Sequence, residues 1–427
     1  MAQNGIRCVF RPGQSRSTIS GQCTHRGRRI PPCLRPVGPP PPTSDGMRVL
    51  PSPVADWSGR FTSQGGRMKA AKKVKAVTKT AVLEAVGAVG IDLGDRWSHW
   101  CVLSTAGEVM DRGRVKTSAE ALSDLSAGWT KIPVAIENGT HSGWVSRTLK
   151  KAGCSVSVAN PSRWRGTAHS SKNDANDAEA LARVVRLDPK LLYPITHRTQ
   201  QQQEDLSVIR VRAQLVKART LLVNTARGAV KSVGARLPAT DADAFHNTSW
   251  KFVPEALREA LRPLYQSLAT ITEQVRALDR QIEKLSKERY QATALLRSVP
   301  GVGPLTALTY VLTVADTARF ASSREVGAFL GLRPRQRQSG SRNPELGIAK
   351  NGDHYLRSLL VECAHYVLSR APDSALKRWG LGLAQSGPPA KRRALVAIAR
   401  KLAVLLHCLW SNGELYCPFP ADSSVAA

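Results

Sequence analysis

Apolar positions are sparse and without period from residue 1 to about 67, and become regular from about residue 85. The first stretch holds Pro36-Val-Gly-Pro-Pro-Pro-Pro42 and scattered arginines. It cannot bury enough surface to offset the entropy of ordering, so the pattern predicts disorder there. A signal peptide's charged start, apolar middle and small-residue cleavage site are not found in it. Met68 opens a lysine-rich run from Lys69 to Lys79, and the working chain is expected to start at Met68 or Met47, with the preceding part an over-extended reading frame.

From Ala85 the pattern turns strand-like. Val86 to Asp92 is an apolar run that ends in an acid, and Trp100 to Leu103 and Val109 to Val115 follow, with Ala106-Gly107 as a turn. This order predicts an antiparallel meander. A helix over Ala119 to Leu125, a strand Val134 to Ile136 ending at Glu137, a helix over Ser142 to Ala152, a strand Cys154 to Val158 and a helix over Asn173 to Val185 come next. Three antiparallel strands followed by alternating helix and strand predict a mixed α/β sheet covered by helices over residues 85–195. The order resembles a ribonuclease-H-like fold.

Beyond that domain the period is helical. Gln203 to Val233 is amphipathic and basic, with Arg210 and Arg212 as candidate nucleic-acid contacts. Leu264, Leu268, Ile271, Val275, Leu278, Ile282 and Leu285 are alternately four and three apart, which is the seam of a coiled coil over about three heptads. The seam predicts pairing within or between subunits, and an ordinary long core helix would show the same spacing. Residues 196–292 therefore read as a helical, coiled-coil region. Arg297 to Pro304 reads as a tight turn between two helices, similar to a helix-hairpin-helix turn, in which Gly301 and Gly303 free backbone N–H groups to face a phosphate. A mostly helical C-terminal domain is expected over 293–415, ending in an apolar helix from Ala394 to Leu409, with 1–84 as a basic, proline-rich extension and 416–427 as a tail.

Charge narrows the partner. The chain has 62 Lys and Arg against 32 Asp and Glu, a net charge of +30, so a polyanion is the natural partner. No uncharged apolar run reaches the roughly 18 residues that would favour a membrane, and nucleic acid is the better reading. The eight cysteines are scattered with no Cys-x-x-Cys pair, which points to neither a zinc ribbon nor a disulfide framework and fits a reducing cytoplasm. Cys23, His25 and Cys33 match no zinc spacing.

Two groups of residues carry candidate chemistry. Asp92 and Glu137 each end a predicted strand, where ligands collect in open sheets, and Asp174 and Asp177 lie three apart on one helix and project from one face. Four carboxylates in one cavity repel, and divalent oxygen-seeking cations, Mg²⁺ by preference, would neutralise them. Taken singly, each acid could instead cap a turn or a helix start. Farther along, Arg335-Gln-Arg-Gln-Ser-Gly-Ser341 places the hydroxyl of Ser339 beside Gly340 in a basic loop, with Arg335, Arg337 and Lys350 as candidate phosphate clamps. His141, His169, His354 and His365 read as packing or solvent-facing residues rather than a general base.

Gly90-Ile-Asp92-Leu-Gly94 alone is shared with actin-like sugar kinases, whose further glycine-rich phosphate loops are not found here. Together with Ala135-Ile-Glu137-Asn-Gly139, Lys172-Asn-Asp174-Ala-Asn-Asp177, Val299-Pro-Gly-Val-Gly303, Gln338-Ser339-Gly340, Lys350-Asn-Gly352 and Leu356-Arg357, it resembles the DEDD-type transposases of the insertion sequence 110/116/902 class, described as bridge-RNA-guided recombinases. The resemblance covers about residues 85 to 415. It implies an N-terminal domain similar to Holliday-junction resolvases, with Asp92, Glu137, Asp174 and Asp177 as its acids, a C-terminal transposase domain with Ser339 as the catalytic serine, homodimers and tetramers, and a structured noncoding RNA that pairs with donor and target DNA. Two departures stand out: Gln338 precedes Ser339 where many relatives carry a second serine, and Ser341 follows as a competing hydroxyl. The expected chemistry is Mg²⁺-dependent attack by Ser339 on DNA, a phosphoserine-linked intermediate, and rejoining by a free 3′-hydroxyl without ATP. The alternatives are a hydrolytic, structure-selective nuclease and a non-enzymatic nucleic-acid-binding relative.

Overall fold

The structure, a computed structural model, describes residues 86–161, 163, 173–338, 340, 344 and 346–419. The readings made for the first 85 residues, for His169, for Ser339 and for Ser341 lie outside them.

Five strands form one sheet in the order β3-β2-β1-β4-β5. Strands β1 (Val86–Asp92), β2 (Trp97–Ser104) and β3 (Val109–Lys116) are the predicted antiparallel meander, and β4 (Pro133–Glu137) and β5 (Ser155–Ala159) run parallel to β1. Helices α1 (Ala119–Leu125) and α2 (Ser142–Lys151) provide the crossovers. Period-2 alternation splits each strand between two faces. Val89, Ile91, Val102, Val134 and Ile136 turn to one face and bury against Leu122, Val145 and Leu149 of α1 and α2. Ala88, Ala135, Cys101 and Leu103 turn to the other, where Ala178, Leu181, Ala182 and Val185 of α3 (Asp174–Leu187) cover them. Complete burial of Leu181 and near-complete burial of Val185 stabilises this layer by about 2 kcal/mol each.

Small residues set how closely α3 approaches. A Cβ at Gly90 would lie 2.0 Å from the Ala178 carbonyl oxygen and 2.4 Å from the Ala182 nitrogen, so only glycine at this point of β1 lets the helix backbone rest on the sheet. Arg183 and Arg186 then clamp α3 to the β2–β3 turn, donating to the carbonyls of Gly107 (3.2 Å) and Thr105 (3.0 Å).

Helix α4 (Gln200–Ser232) starts from a capping box made by Thr199 and Gln202. After a short helix α5 (Phe245–Thr248), α6 (Glu255–Glu288) returns along α4. Asp205 meets Arg289 at one end, Arg212 meets Asp279 further along, and Val223 and Val230 share a cluster with Leu261, Tyr265 and Leu268, so the pair is an antiparallel hairpin within one chain. The predicted seam is found in altered form. Leu268, Val275 and Ile282 are buried, whereas Leu264, Ile271, Leu278 and Leu285 are only half-buried, because Tyr265, Thr272 and Ser286 take the contact face beside them.

The C-terminal region comprises α7 (Ala292–Arg297), α8 (Pro304–Val314), α9 (Arg324–Phe329), α10 (His354–Ser369), α11 (Ala375–Ala384) and α12 (Pro388–Asn412). Its core joins Leu296, Tyr310, Val326, Leu360, Ile398 and Leu402. Helix α12 is long and apolar enough to cross a membrane by composition, yet Leu395, Ile398, Leu402, Leu406 and Leu409 are buried in this core, which accounts for the apolar content. Leu308 and Leu312 of α8 pack on Leu206 and Ile209 of α4 and Ile282 of α6, which seats the hairpin on the C-terminal helices.

Candidate active site

The parallel pairing of β1 and β4 runs Val89 to Val134, Gly90 to Ala135 and Ile91 to Ile136, so the next step on each strand places Asp92 and Glu137 side by side at the strand ends. With Ile91 and Ile136 buried on the opposite face, both acids belong to the face covered by α3. Asp174 is the first residue of α3 and Asp177 lies one turn on, with Asn173 capping the helix by accepting from Ala175 N at 3.1 Å. Acids in a first helical turn are held favourably by the macrodipole, which offsets part of the cost of crowding them. The loop after Glu137 is pinned by Ser142, whose Oγ donates to the Gly139 carbonyl at 2.7 Å and accepts from Gly139 N at 3.1 Å.

These four carboxylates feel one another. Partial burial, then the charges of Asp174, Asp177 and Glu137, raise the pKa of Asp92 to about 6, and His99 opposes the rise. His99 stands directly across from Asp92 in the antiparallel register, and its Nδ1 lies 3.5 Å from Asp174 Oδ2. No part of the sequence reading singled it out. Carrying the hairpin register back from Ala106-Gly107 would have found it. Nearby, Trp144 Nε1 donates to His141 Nδ1 at 3.1 Å, which leaves His141 Nε2 to donate to Asp95 at 3.4 Å, so His141 orients the rim of the site and stays outside the acid cluster.

Among the described residues, no three His, Cys, Asp or Glu side chains stand at coordination distances from a common point. The donor set nevertheless fits a hard divalent cation: it is all carboxylate oxygen, it sits at strand ends and a helix start, and its mutual repulsion is the state that a bound cation relieves.

The second predicted cluster is a loop between α9 and α10. Its two limbs pair at Pro334 and Ile348, Arg335 N donates to the Gly347 carbonyl at 3.0 Å and Ala349 N to the Arg333 carbonyl at 2.9 Å, which fixes the base of the loop. The base itself is held by Arg357. This guanidinium is 7 % exposed and faces three carbonyls, with Nη1 donating to Leu330 (2.9 Å) and Asn351 (2.8 Å) and Nη2 to Lys350 (3.1 Å). Gly331 and Gly352 have φ of +67° and +74° and no room for a Cβ, and Lys350 takes φ of +59°, a left-handed position uncommon for a side chain. Arg335, Arg337 and Lys350 are exposed. The sequence reading quoted Arg357 without giving it a task; a buried arginine without a carboxylate partner is visible only in three dimensions.

Arg210 and Arg212, the candidate nucleic-acid contacts on α4, both meet carboxylates. Arg210 is paired with Asp353, the N-cap of α10, and lies over the Tyr355 ring, while Arg212 donates to Asp279 at 2.9 and 3.3 Å. Both guanidinium groups tie α4 to elements distant in sequence, and the Arg210 side chain keeps 41% of its surface exposed beside that pairing. Gly301 and Gly303 do form a turn between α7 and α8. Gly301 has φ of +91° with the Tyr366 ring 2.7 Å from where a Cβ would be, and Gly303 is open around its Cα at the start of α8.

Comparison with known proteins places both halves in one family. A family model described as a transposase, of the DEDD type found in IS110, matches residues 89–234, and the model described as transposase IS116/IS110/IS902 family matches residues 293–379. A probable family 20 transposase of Pseudomonas aeruginosa is 32% identical over 294 residues, covering 67% of this chain and 86% of that protein. The transposase for insertion sequence element IS1111A of Coxiella burnetii is 28% identical over 77% of this chain and 90% of its own length. The transposase for insertion sequence element IS1328 of Yersinia enterocolitica is 29% identical over 77% of this chain and 98% of its own length.

Proposed function

The chain belongs to the IS116/IS110/IS902 family of transposases, and on that premise we propose that it cuts and rejoins DNA through a covalent bond to Ser339. The supporting observation is that Asp92, at a strand end, is raised to about 6 by its partial burial first and then by the charges of Asp174, Asp177 and Glu137. In this reading the domain of residues 85–195 is a ribonuclease-H-like, resolvase-like unit, 196–292 a helical connector, and 293–415 the transposase domain that brings the serine. The strand order and the mixed parallel and antiparallel pairing agree with that assignment.

Asp92, Glu137, Asp174 and Asp177 would hold Mg²⁺, which supplies charge neutralisation at the phosphate and lowers the cost of ionising a hydroxyl. The Ser339 Oγ bonds to phosphorus, the bond from phosphorus to the 3′ oxygen breaks, and that oxygen leaves as a free hydroxyl after taking up a proton. The reverse attack by another strand's 3′-hydroxyl releases the serine and joins the new pair. One phosphodiester is consumed and one is made, so no nucleotide triphosphate is needed. Arg335, Arg337 and Lys350 steady the phosphate, and the α7–α8 turn with Gly301 and Gly303 offers backbone N–H groups to a second one. His99 orients Asp174. A structured noncoding guide RNA that selects donor and target, a dimer or tetramer, and a bacterial cytoplasmic setting complete the proposal, with a purely hydrolytic nuclease as its main competitor.

Denaturing electrophoresis of the protein with Mg²⁺, its element's flanking RNA and end-labelled element DNA tests it. A DNA–protein adduct that is lost in both Ser339→Ala and Asp92→Ala supports the composite site. Free 5′-phosphate product without adduct, abolished by Asp92→Ala alone, would replace it with the hydrolytic reading.

A further inference from the structure

Beside the serine loop lies a cleft of about 1580 Å³ bounded by that loop, α11, α12 and the segment around Tyr416. It exceeds the roughly 300–1,000 Å³ of a small-molecule pocket and has room for an extended occupant. Its floor is apolar, made by Leu376, Trp379, Val396 and Leu405, which pack partly against the C-terminal core and leave part of their surface open to the cleft. Its lining contains seven cations and no carboxylate among the described residues. Arg324, Arg335, Arg393 and Arg400 form no ion pair among the described residues, and the Lys401 ammonium sits 3.9 Å from the centroid of the Trp379 ring.

An apolar floor with a cationic rim is poorly matched to intact duplex, whose bases are already stacked inside and whose surface is phosphate and sugar. It is well matched to an unpaired strand, whose bases need an apolar or aromatic platform and whose phosphates need cations. We infer that this cleft holds an unpaired segment of the DNA strand being cut, with bases on Trp379 and its apolar neighbours and phosphates on Arg393, Arg400 and Lys401. DNA is the occupant because one wall of the cleft, Pro334 to Gln336, immediately precedes in the chain the segment carrying Ser339, the residue proposed to become bonded to the cut strand. This assignment rests on the proposed role of Ser339. It adds a site outside the acid cluster that would keep strands opened for exchange unpaired.

The test uses the full chain and fluorescence anisotropy with a labelled oligothymidine, an oligouridine of equal length and a duplex of equal length. Arg393→Glu with Lys401→Glu changes exposed side chains only, and unchanged circular dichroism confirms the fold. The expected result is a loss of about tenfold or more in oligothymidine affinity with a shallower salt dependence, whatever happens to oligouridine, and a change of about twofold or less for duplex. Trp379→Phe retains a platform and is expected to bind oligothymidine within about threefold of wild type, whereas Trp379→Ala loses more. Unchanged oligothymidine affinity, equal losses on single strand and duplex, or a loss confined to oligouridine overturns the inference. So does a change in oligomer mass by sedimentation with DNA affinity unchanged, which would give the cleft to a second copy of the chain. Ser339→Ala separates the two readings: it is expected to bind oligothymidine like wild type while forming no adduct. Adduct formation absent from wild type, with cleft-dependent strand binding intact, would fault the nucleophile and leave the cleft.

Discussion

The sheet end and the serine loop are opposites in charge and in how they are held. At the sheet end, four acids lie near one another with His99 beside them, and partial burial together with their charges raises the Asp92 carboxyl to about 6. The loop and its cleft gather cations, and the restraint is geometric: left-handed backbone at Gly331, Lys350 and Gly352 around one buried guanidinium. On the proposed reading the two regions complement each other: the acids would hold the cation that relieves their repulsion, while the loop would bring the hydroxyl of Ser339 and the cations Arg335, Arg337 and Lys350.

The comparison is broken most severely by removing one charge from the acid side. Asp92→Asn is expected to reduce DNA cleavage by about a thousandfold, the scale of losing a principal electrostatic contributor at a reacting phosphate. The same substitution is expected to leave thermal stability in chelator-containing buffer at pH 8 equal to or higher than wild type, because repulsion with Asp174, Asp177 and Glu137 is removed. Cleavage assays beside thermal melts check both signs. A fall in both would make Asp92 a structural residue.

On the loop side, Arg357→Ala leaves three carbonyls without their donor in a buried place, which is expected to cost about 3 kcal/mol in chemical denaturation. Arg357→Lys is expected to recover less than half of that, since one ammonium cannot reproduce the planar fork. Adduct yield from Arg357→Lys is expected to fall further than its stability does, because the loop that carries Ser339 rests on this side chain.

The close approach of α3 gives a third way in. Gly90→Ala puts a methyl group 2.0 Å from the Ala178 carbonyl oxygen, and the helix must shift, at a cost of about 1–3 kcal/mol. That shift carries Asp174 and Asp177 away from Asp92, so urea melts and Mg²⁺ titrations of this variant are expected to change together. Normal metal affinity with reduced stability would separate the helix position from the site.

These positions also mark what was legible in the chain. Strand ends at Asp92 and Glu137 and the α3 start at Asn173 follow from local period and capping chemistry, and the structure has them within a residue or two. Long-range choices were less legible. His99 needs the hairpin register, and Arg210, Arg212 and Arg357 find their partners tens to more than a hundred residues away or on a buried loop base. The α4–α6 seam was visible as a heptad spacing, but which of its members are buried depends on a partner helix that spacing does not identify. The cleft is composed from residues spread between 324 and 418, and nothing local announces it.

The smallest expected effect is the dependence on pH. Asp92 has a folded pKa of about 6 against an ordinary value of 3.8, so the folded state holds the proton more tightly than the unfolded one. Stability without divalent cation therefore falls as pH rises from about 4 through about 6 and then levels off. Allowing for solvent screening of this partly exposed group, the fall is about 1 kcal/mol. Added Mg²⁺ is expected to raise the melting temperature more at pH 7.5 than at pH 5, and Asp92→Asn is expected to flatten that difference.

Whether the hydroxyl of Ser339 becomes bonded to DNA under the control of the acids at the sheet end decides between transesterification and hydrolysis. Mass spectrometry of the peptide recovered from a nuclease-trimmed adduct tests this directly. The prediction is a single 5′-linked nucleotide on Ser339, absent from Asp92→Asn reactions run in parallel. A nucleotide on Ser341, or an adduct that persists without Asp92, would contradict it.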